Sequence, residues 1–94
     1  MIERRFGRRG GEIDVVVDDG GVIAFVEVKA RRSETHGGAI EAVTWRKRRR
    51  IVATARCFLA ERKWRGRRCR FDVVGVSVRQ GRATITWVRD AFRP

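Results

Sequence analysis

The chain has 94 residues, 43% of them hydrophobic and 36% charged, which allows one small domain with a modest core and leaves no room for two. Its 23 lysines and arginines against 11 acids give +12 at pH 7, a field that draws polyanions, nucleic acid being the usual one. Regular apolar alternation argues against disorder, and with no long apolar run or signal peptide a cytoplasmic protein with no membrane partner is expected.

The chain opens on "IERRFGRRG", a basic stretch able to hold a short strand ending at the glycines. "EIDVVV" then alternates, with Ile13, Val15 and Val17 expected on one face and Glu12, Asp14 and Val16 on the other. "DDGG" signals a hairpin, because glycine accepts the positive φ of a tight turn. The return strand "VIAFVEVKA" sets Val22, Ala24, Val26 and Val28 against Ile23, Phe25, Glu27 and Lys29. After the polar loop "RRSETHGG", Thr44 predicts a helix N-cap, and a helix follows from about Trp45 to Arg62. Its buried stripe is expected at Ile51, Val52, Ala55, Phe58 and Leu59, with a break at Gly66 in "KWRGRR". "FDVVGVSV" reads as a buried strand, "RQGR" as a turn and "ATITWV" as an outer strand. Three strands, a helix and two strands predict an α/β domain over residues 1–94, a mixed sheet with the helix on a face. Cys57 and Cys69 lack metal-site spacing and fit buried free thiols. His36, the only histidine, reads as a solvated loop residue.

The chemistry is expected on the hairpin. A turn at Gly20–Gly21 sets Asp14 opposite Glu27 and Glu12 opposite Lys29, whereas a turn at Asp19–Gly20 sets Glu12 opposite Glu27. Both registers put Glu12, Asp14, Glu27 and Lys29 on one face. Like charges facing each other across a sheet are destabilising, so such a cluster asks for a reason. A divalent cation supplies one: Mg²⁺ takes oxygen ligands, keeps several waters and can hold a phosphate. A nearby lysine can then stabilise charge developing on that phosphate. The plain alternative is a solvated sheet face with Lys29 neutralising Glu27. Counting back from Ile51 and Ala55 puts Lys47 on the buried stripe, within reach of a substrate phosphate unless it snorkels past the helix end. Arg46, Arg48, Arg49 and Arg50 are expected to face outward. Together with Lys47 and the pair Arg31 and Arg32 they are candidate phosphate contacts.

The blocks "GEID", "FVEVKARR", "EAVTWRKRRR", "RFDVVGV" and the closing "AF" resemble, in this order, the YraN-type family of endonucleases in the PD-(D/E)XK superfamily. The resemblance covers nearly the whole chain and implies a restriction-endonuclease-like fold whose hairpin carries the acidic cluster. It implies Asp14 and Glu27 as ligands of Mg²⁺ or Mn²⁺, Lys29 as the catalytic lysine, Lys47 as the basic residue of the following helix, and Glu12 as the family's acid before the aspartate. The implied activity is hydrolysis of phosphodiester bonds, on branched or single-stranded DNA. A nucleic-acid-binding module with weak or lost chemistry is the alternative, and a basic protein of ribonucleoprotein a third reading. Asp72 has no assigned role beyond a hydrogen bond or a pairing with an arginine. The family's helix before the first strand is not seen here, which suggests a late start codon, a truncation, or a partner chain over the bare face as in a homodimer.

Overall fold

Three two-residue turns organise the strands. Arg9–Gly10, Gly20–Gly21 and Gln80–Gly81 all have positive φ, from 51° to 95°. Two successive left-handed residues match the twist of a hairpin, and a glycine as the second of them carries no Cβ penalty. The structure, a computed structural model, describes residues 1–32 and 44–94, with Arg31 and Arg32 as backbone alone. His36 lies outside the described residues.

Five strands and one helix follow in the expected order: β1 (Glu3–Arg8), β2 (Gly11–Asp19), β3 (Val22–Arg32), α1 (Trp45–Glu61), β4 (Cys69–Arg79) and β5 (Arg82–Phe92). They form one mixed sheet in the order β1-β2-β3-β4-β5. Only the β3–β4 pair is parallel, and its connection runs through α1. A parallel pair needs a crossover of this kind, whereas the antiparallel neighbours need only their turns. The domain is thus mixed α/β. No helix among the described residues is long and apolar enough to cross a membrane.

Thr44 caps α1 as expected, its hydroxyl accepting from the Lys47 amide at 3.2 Å. The helix ends earlier than Gly66. Lys63 takes φ +59°, its amide donates to Ala60 O at 3.1 Å, and the Trp64 amide donates to Leu59 O at 2.8 Å. These two bonds close the last turn in a Schellman motif, with a lysine where glycine is usual.

The core lies between α1 and the sheet. Phe58 meets Phe6 and Phe25 edge to face, at 5.1 and 5.7 Å, and Phe25, Phe71 and Phe92 stack in a row at 5.6 and 5.2 Å. Ile51, Val52, Ala55 and Phe58 are buried as expected, and Leu59 packs against them partly exposed. Thr54 is also buried, its Oγ1 lying 2.9 Å from Arg50 O and 3.1 Å from Arg8 O. Gly11 makes this closeness feasible, because a Cβ there would stand 2.5 Å from Thr54 Oγ1.

The expected alternation of β2 fails at one point. Ile13 and Val16 both enter the core, although their odd spacing should place them on opposite faces. The change of phase falls at Asp14. There the β1–β2 ladder skips from Arg4↔Val15 to Phe6↔Ile13, with Arg5 at φ +53°. The β2–β3 ladder also stops, at Val15↔Val26.

The other face of the sheet shows Val28, Val78, Ile85 and Trp87, all exposed. Asp72 sits on this side and is fully buried. It accepts from Arg70 Nε at 3.0 Å, Trp87 Nε1 at 3.0 Å and the Asp90 amide at 2.9 Å. Asp90, at φ +53°, belongs to the irregular stretch of β5 opposite Asp72. The carboxylate therefore stitches a bulge to the centre of the sheet, which answers the question its sequence position raised. Cys57 is half-buried and Cys69 exposed; neither is disulfide-bonded, so the expectation of two buried thiols is corrected.

Candidate active site

The turn falls at Gly20–Gly21, since Asp19 pairs with Val22. Asp18 Oδ1 supports it by accepting the Gly21 amide at 2.9 Å. Of the two registers the sequence allowed, this is the one that carries Asp14 toward Glu27. The ladder opens just there, and the Val28 amide donates to Asp14 Oδ2 at 2.8 Å in place of a backbone acceptor. Asp14 thus occupies the gap where β2 parts from β3, close enough to Glu27 to raise the proton affinity of that carboxyl.

That pairing sets the chemistry of Glu27. Burial, then the hydrogen bond and charge of Asp14, push its pKa up to about 7, against the opposing pull of Lys29. The Lys29 ammonium stands 3.5 Å from Glu27 Oε1, with both side chains largely covered. Lys29 is held above its ordinary value first by a hydrogen bond with Lys47 and then by Glu27, while burial works the other way.

Glu27 and Lys29 border a cavity of about 160 Å³ whose wall also includes Gly10, Gly11, Glu12, Lys47, Arg50 and Ile51. Lys47 is exposed, which corrects its placement on the buried stripe; it stands at the mouth of the cavity, one turn before Ile51. Glu12 is exposed in the same wall, but it is not opposite Lys29 in a ladder, because β2 before Val15 pairs only with β1. The expected convergence of three acids is corrected likewise. Among the described residues no three of His, Cys, Asp and Glu gather closely enough to hold a metal ion. Arg46, Arg49 and Arg50 are exposed as expected, and Arg48 is half-buried with its guanidinium 5.3 Å from the Phe92 ring. The side chains of Arg31 and Arg32 lie outside the described residues.

Three contributors do not stand out in the sequence. Gly11 and Thr54 set the height of α1 over the cavity, and Trp45 stands exposed beside the basic run. A signal existed for Gly11, the second glycine of "RRGG", one more than a two-residue turn requires.

The two carboxyls test whether a divalent ion fits. They are hard oxygen donors, and burial first and then the neighbouring Asp14 raise the proton affinity of Glu27. Mg²⁺ or Mn²⁺ suits one or two carboxylates completed by water and substrate phosphate, so the residues present fit such an ion.

A basic α/β domain with a carboxyl pair beside two lysines is the class that fold and site define. The chain belongs to the family described as "Uncharacterised protein family UPF0102", which it matches over residues 1–76. A UPF0102 protein of Burkholderia lata is 54% identical over 86 residues, covering 90% of this chain and 57% of the relative. One from Ectopseudomonas mendocina is 42% identical over 93 residues, covering 98% of this chain and 77% of the relative. One from Pseudomonas aeruginosa is 44% identical over 87 residues, covering 89% and 70%. The chain therefore spans less than two thirds of the length of its Burkholderia relatives.

Proposed function

We propose that the domain is a metal-dependent endonuclease of restriction-endonuclease-like fold, acting on phosphodiester bonds of DNA. The observation that carries this reading is Glu27, Lys29 and Lys47 on one cavity wall, with Asp14 held by the Val28 amide at the strand gap beside Glu27. The resemblance of the sequence blocks to YraN-type endonucleases supports it. Asp14 and Glu27 would hold Mg²⁺ or Mn²⁺, which would polarise the phosphate and lower the pKa of a bound water.

Hydrolysis joins a water oxygen to phosphorus and breaks one ester P–O bond, leaving a phosphomonoester and an alcohol. Lys29 places an ammonium where negative charge builds on the phosphoryl oxygens, and Glu27 holds it there. Lys47, exposed at the mouth, reaches the same phosphate or the next one along the strand. The Val28 amide donates to Asp14 Oδ2 and fixes the aim of that carboxyl. Arg46, Arg49 and Arg50 hold the backbone of the nucleic acid and give binding its salt dependence.

The test is cleavage of labelled branched, single-stranded and duplex DNA with Mg²⁺, Mn²⁺ or EDTA. Cleavage is expected with metal and not with EDTA, and Lys29→Ala should lower the rate by about 10²–10³-fold, the usual effect of one transition-state donor. Equal cleavage by Lys29→Ala would sink the reading. A binding module with weak or absent chemistry is favoured by the lack of a third clustered acid among the described residues. Salt-dependent binding without turnover on any substrate would select it.

A further inference from the structure

We infer that Trp45 is a stacking platform for an unpaired base, so that the ligand of this face is nucleic acid with a single-stranded segment. The inference rests on the proposed nucleic-acid reading and deepens it. Trp45 opens α1 with 70% of its surface exposed, an unusual position for so large an apolar ring on a folded domain. The Arg49 guanidinium lies 4.8 Å from the ring centroid. Its cation–π contact orients the indole and fills one side.

The surroundings are cationic. A groove of about 430 Å³ runs from Trp45 along Arg9, Arg46, Arg49 and Arg50. A second, of about 340 Å³, leaves the same ring past Arg56 and Arg93. Among the described residues no aspartate or glutamate lines either groove. Arg50 belongs both to the first groove and to the wall of the cavity lined by Glu27, Lys29 and Lys47. Basic charge is thus continuous round the helix from Lys47 through Arg50 and Arg46 to Trp45. Half the circuit of a helix roughly 10–12 Å across separates the two ends, a span of a few nucleotides. A strand with a phosphate at the lysines can lay a neighbouring base on the indole.

Duplex DNA offers phosphates to the arginines but keeps its bases in the stack. A single strand offers both, and base–aromatic stacking tolerates any sequence. Trp45 therefore selects for unpaired structure, not for sequence.

The test measures binding in EDTA, so that no result depends on cleavage. Ligands are single-stranded DNA, single-stranded RNA, an abasic strand of equal charge, and duplex DNA, at one fixed salt concentration. Trp45→Ala is expected to weaken single-strand binding by roughly 5- to 150-fold, the effect of losing one stacked base, and to leave abasic and duplex binding unchanged. Trp45→Phe should keep most of the affinity while removing the quenching of indole fluorescence. Arg49→Ala should lower the salt slope by about one on all four ligands. The DNA and RNA arms show which backbone is preferred, and either preference supports the platform. Equal losses on duplex and single strand, no loss at all, or no single-strand binding by the intact chain would overturn it. Stacking without turnover would leave the platform standing and remove the nuclease; turnover without a Trp45 effect would do the reverse.

Discussion

Asp72 and the Asp14–Glu27 pair are two carboxyl sites in one sheet, and the fold treats them oppositely. Asp72 is fully buried, yet it has donors from Arg70, Trp87 and the Asp90 backbone. The Asp14–Glu27 pair is less deeply placed, and Glu27 has its pKa raised by burial and then by the neighbouring Asp14. A buried acid supplied with donors is a strut. An acid beside another acid, next to a cavity and two lysines, is what the proposed metal site would use. Burial alone does not separate the two sites; the partners of their carboxyls do.

The sharpest way to break this contrast is Asp72→Ala. It leaves the Trp87 indole and the Asp90 amide without their acceptor, and should cost about 1–3 kcal/mol for each of them, while Arg70 keeps Asp19. Urea unfolding should show a lower midpoint at constant slope. A loss no larger than that of a surface substitution would mean that Asp72 is no strut.

Glu27→Gln should do the opposite. A carboxyl whose folded pKa is raised to about 7 binds its proton more tightly in the folded chain. Its contribution to stability is present below the unfolded value and is lost as pH climbs through the folded one. At 1.36 kcal/mol per unit, wild type should lose up to about 3 kcal/mol between pH 4.5 and pH 8 in metal-free buffer. Glu27→Gln should lack that slope and be the more stable protein at pH 8. A parallel pH dependence in the two proteins would show that Asp14 and Glu27 do not strain each other.

Gly11→Ala probes the floor of the cavity. The new methyl meets the buried Thr54 hydroxyl and should cost about 1–3 kcal/mol by overpacking. Since α1 must lift to admit it, Lys47 moves as well, and any cleavage activity should fall more than stability does. The smallest effect expected is that of Mg²⁺ on wild type at pH 8. An ion at ten times its Kd stabilises by about 1.4 kcal/mol through mass action. Thermal unfolding should show the gain in wild type and in Thr54→Ser, and not in Asp14→Asn. Because the ion competes with the Glu27 proton, its affinity should rise as pH passes through about 7.

Much of the fold was legible because its signals are local. Glycine-bearing turns, the Thr44 cap and the period of α1 each lie within a few residues of what they determine. "DDGG" left two registers, and the Asp18 side chain, bonded to the Gly21 amide, accompanies the one adopted. The phase change at Asp14 was not legible, since it depends on Arg5 leaving the β1 ladder in a left-handed conformation, a property of pairing and not of β2 itself. The same slip is why strict parity overstated the acidic cluster and put Glu12 opposite Lys29. The partners of Asp72 were hidden for a related reason, because Trp87 and Asp90 reach it only through the irregular stretch of β5. Lys47 followed the helical period correctly, but the period does not say where a helix projects past its sheet.

The parallel pairing of β3 with β4 has a consequence in time. Every other strand pair closes over a two-residue turn, whereas Ile23 reaches Cys69 only after the whole of α1 has been traversed. Distant contacts form late, so the hairpin of β2 and β3 can bring Asp14 to Glu27 before the crossover is complete. Lys47 and Arg50 arrive only when α1 docks. A nascent chain would therefore carry its acid pair before its cationic wall, and the cavity between them would be completed as the last event of folding.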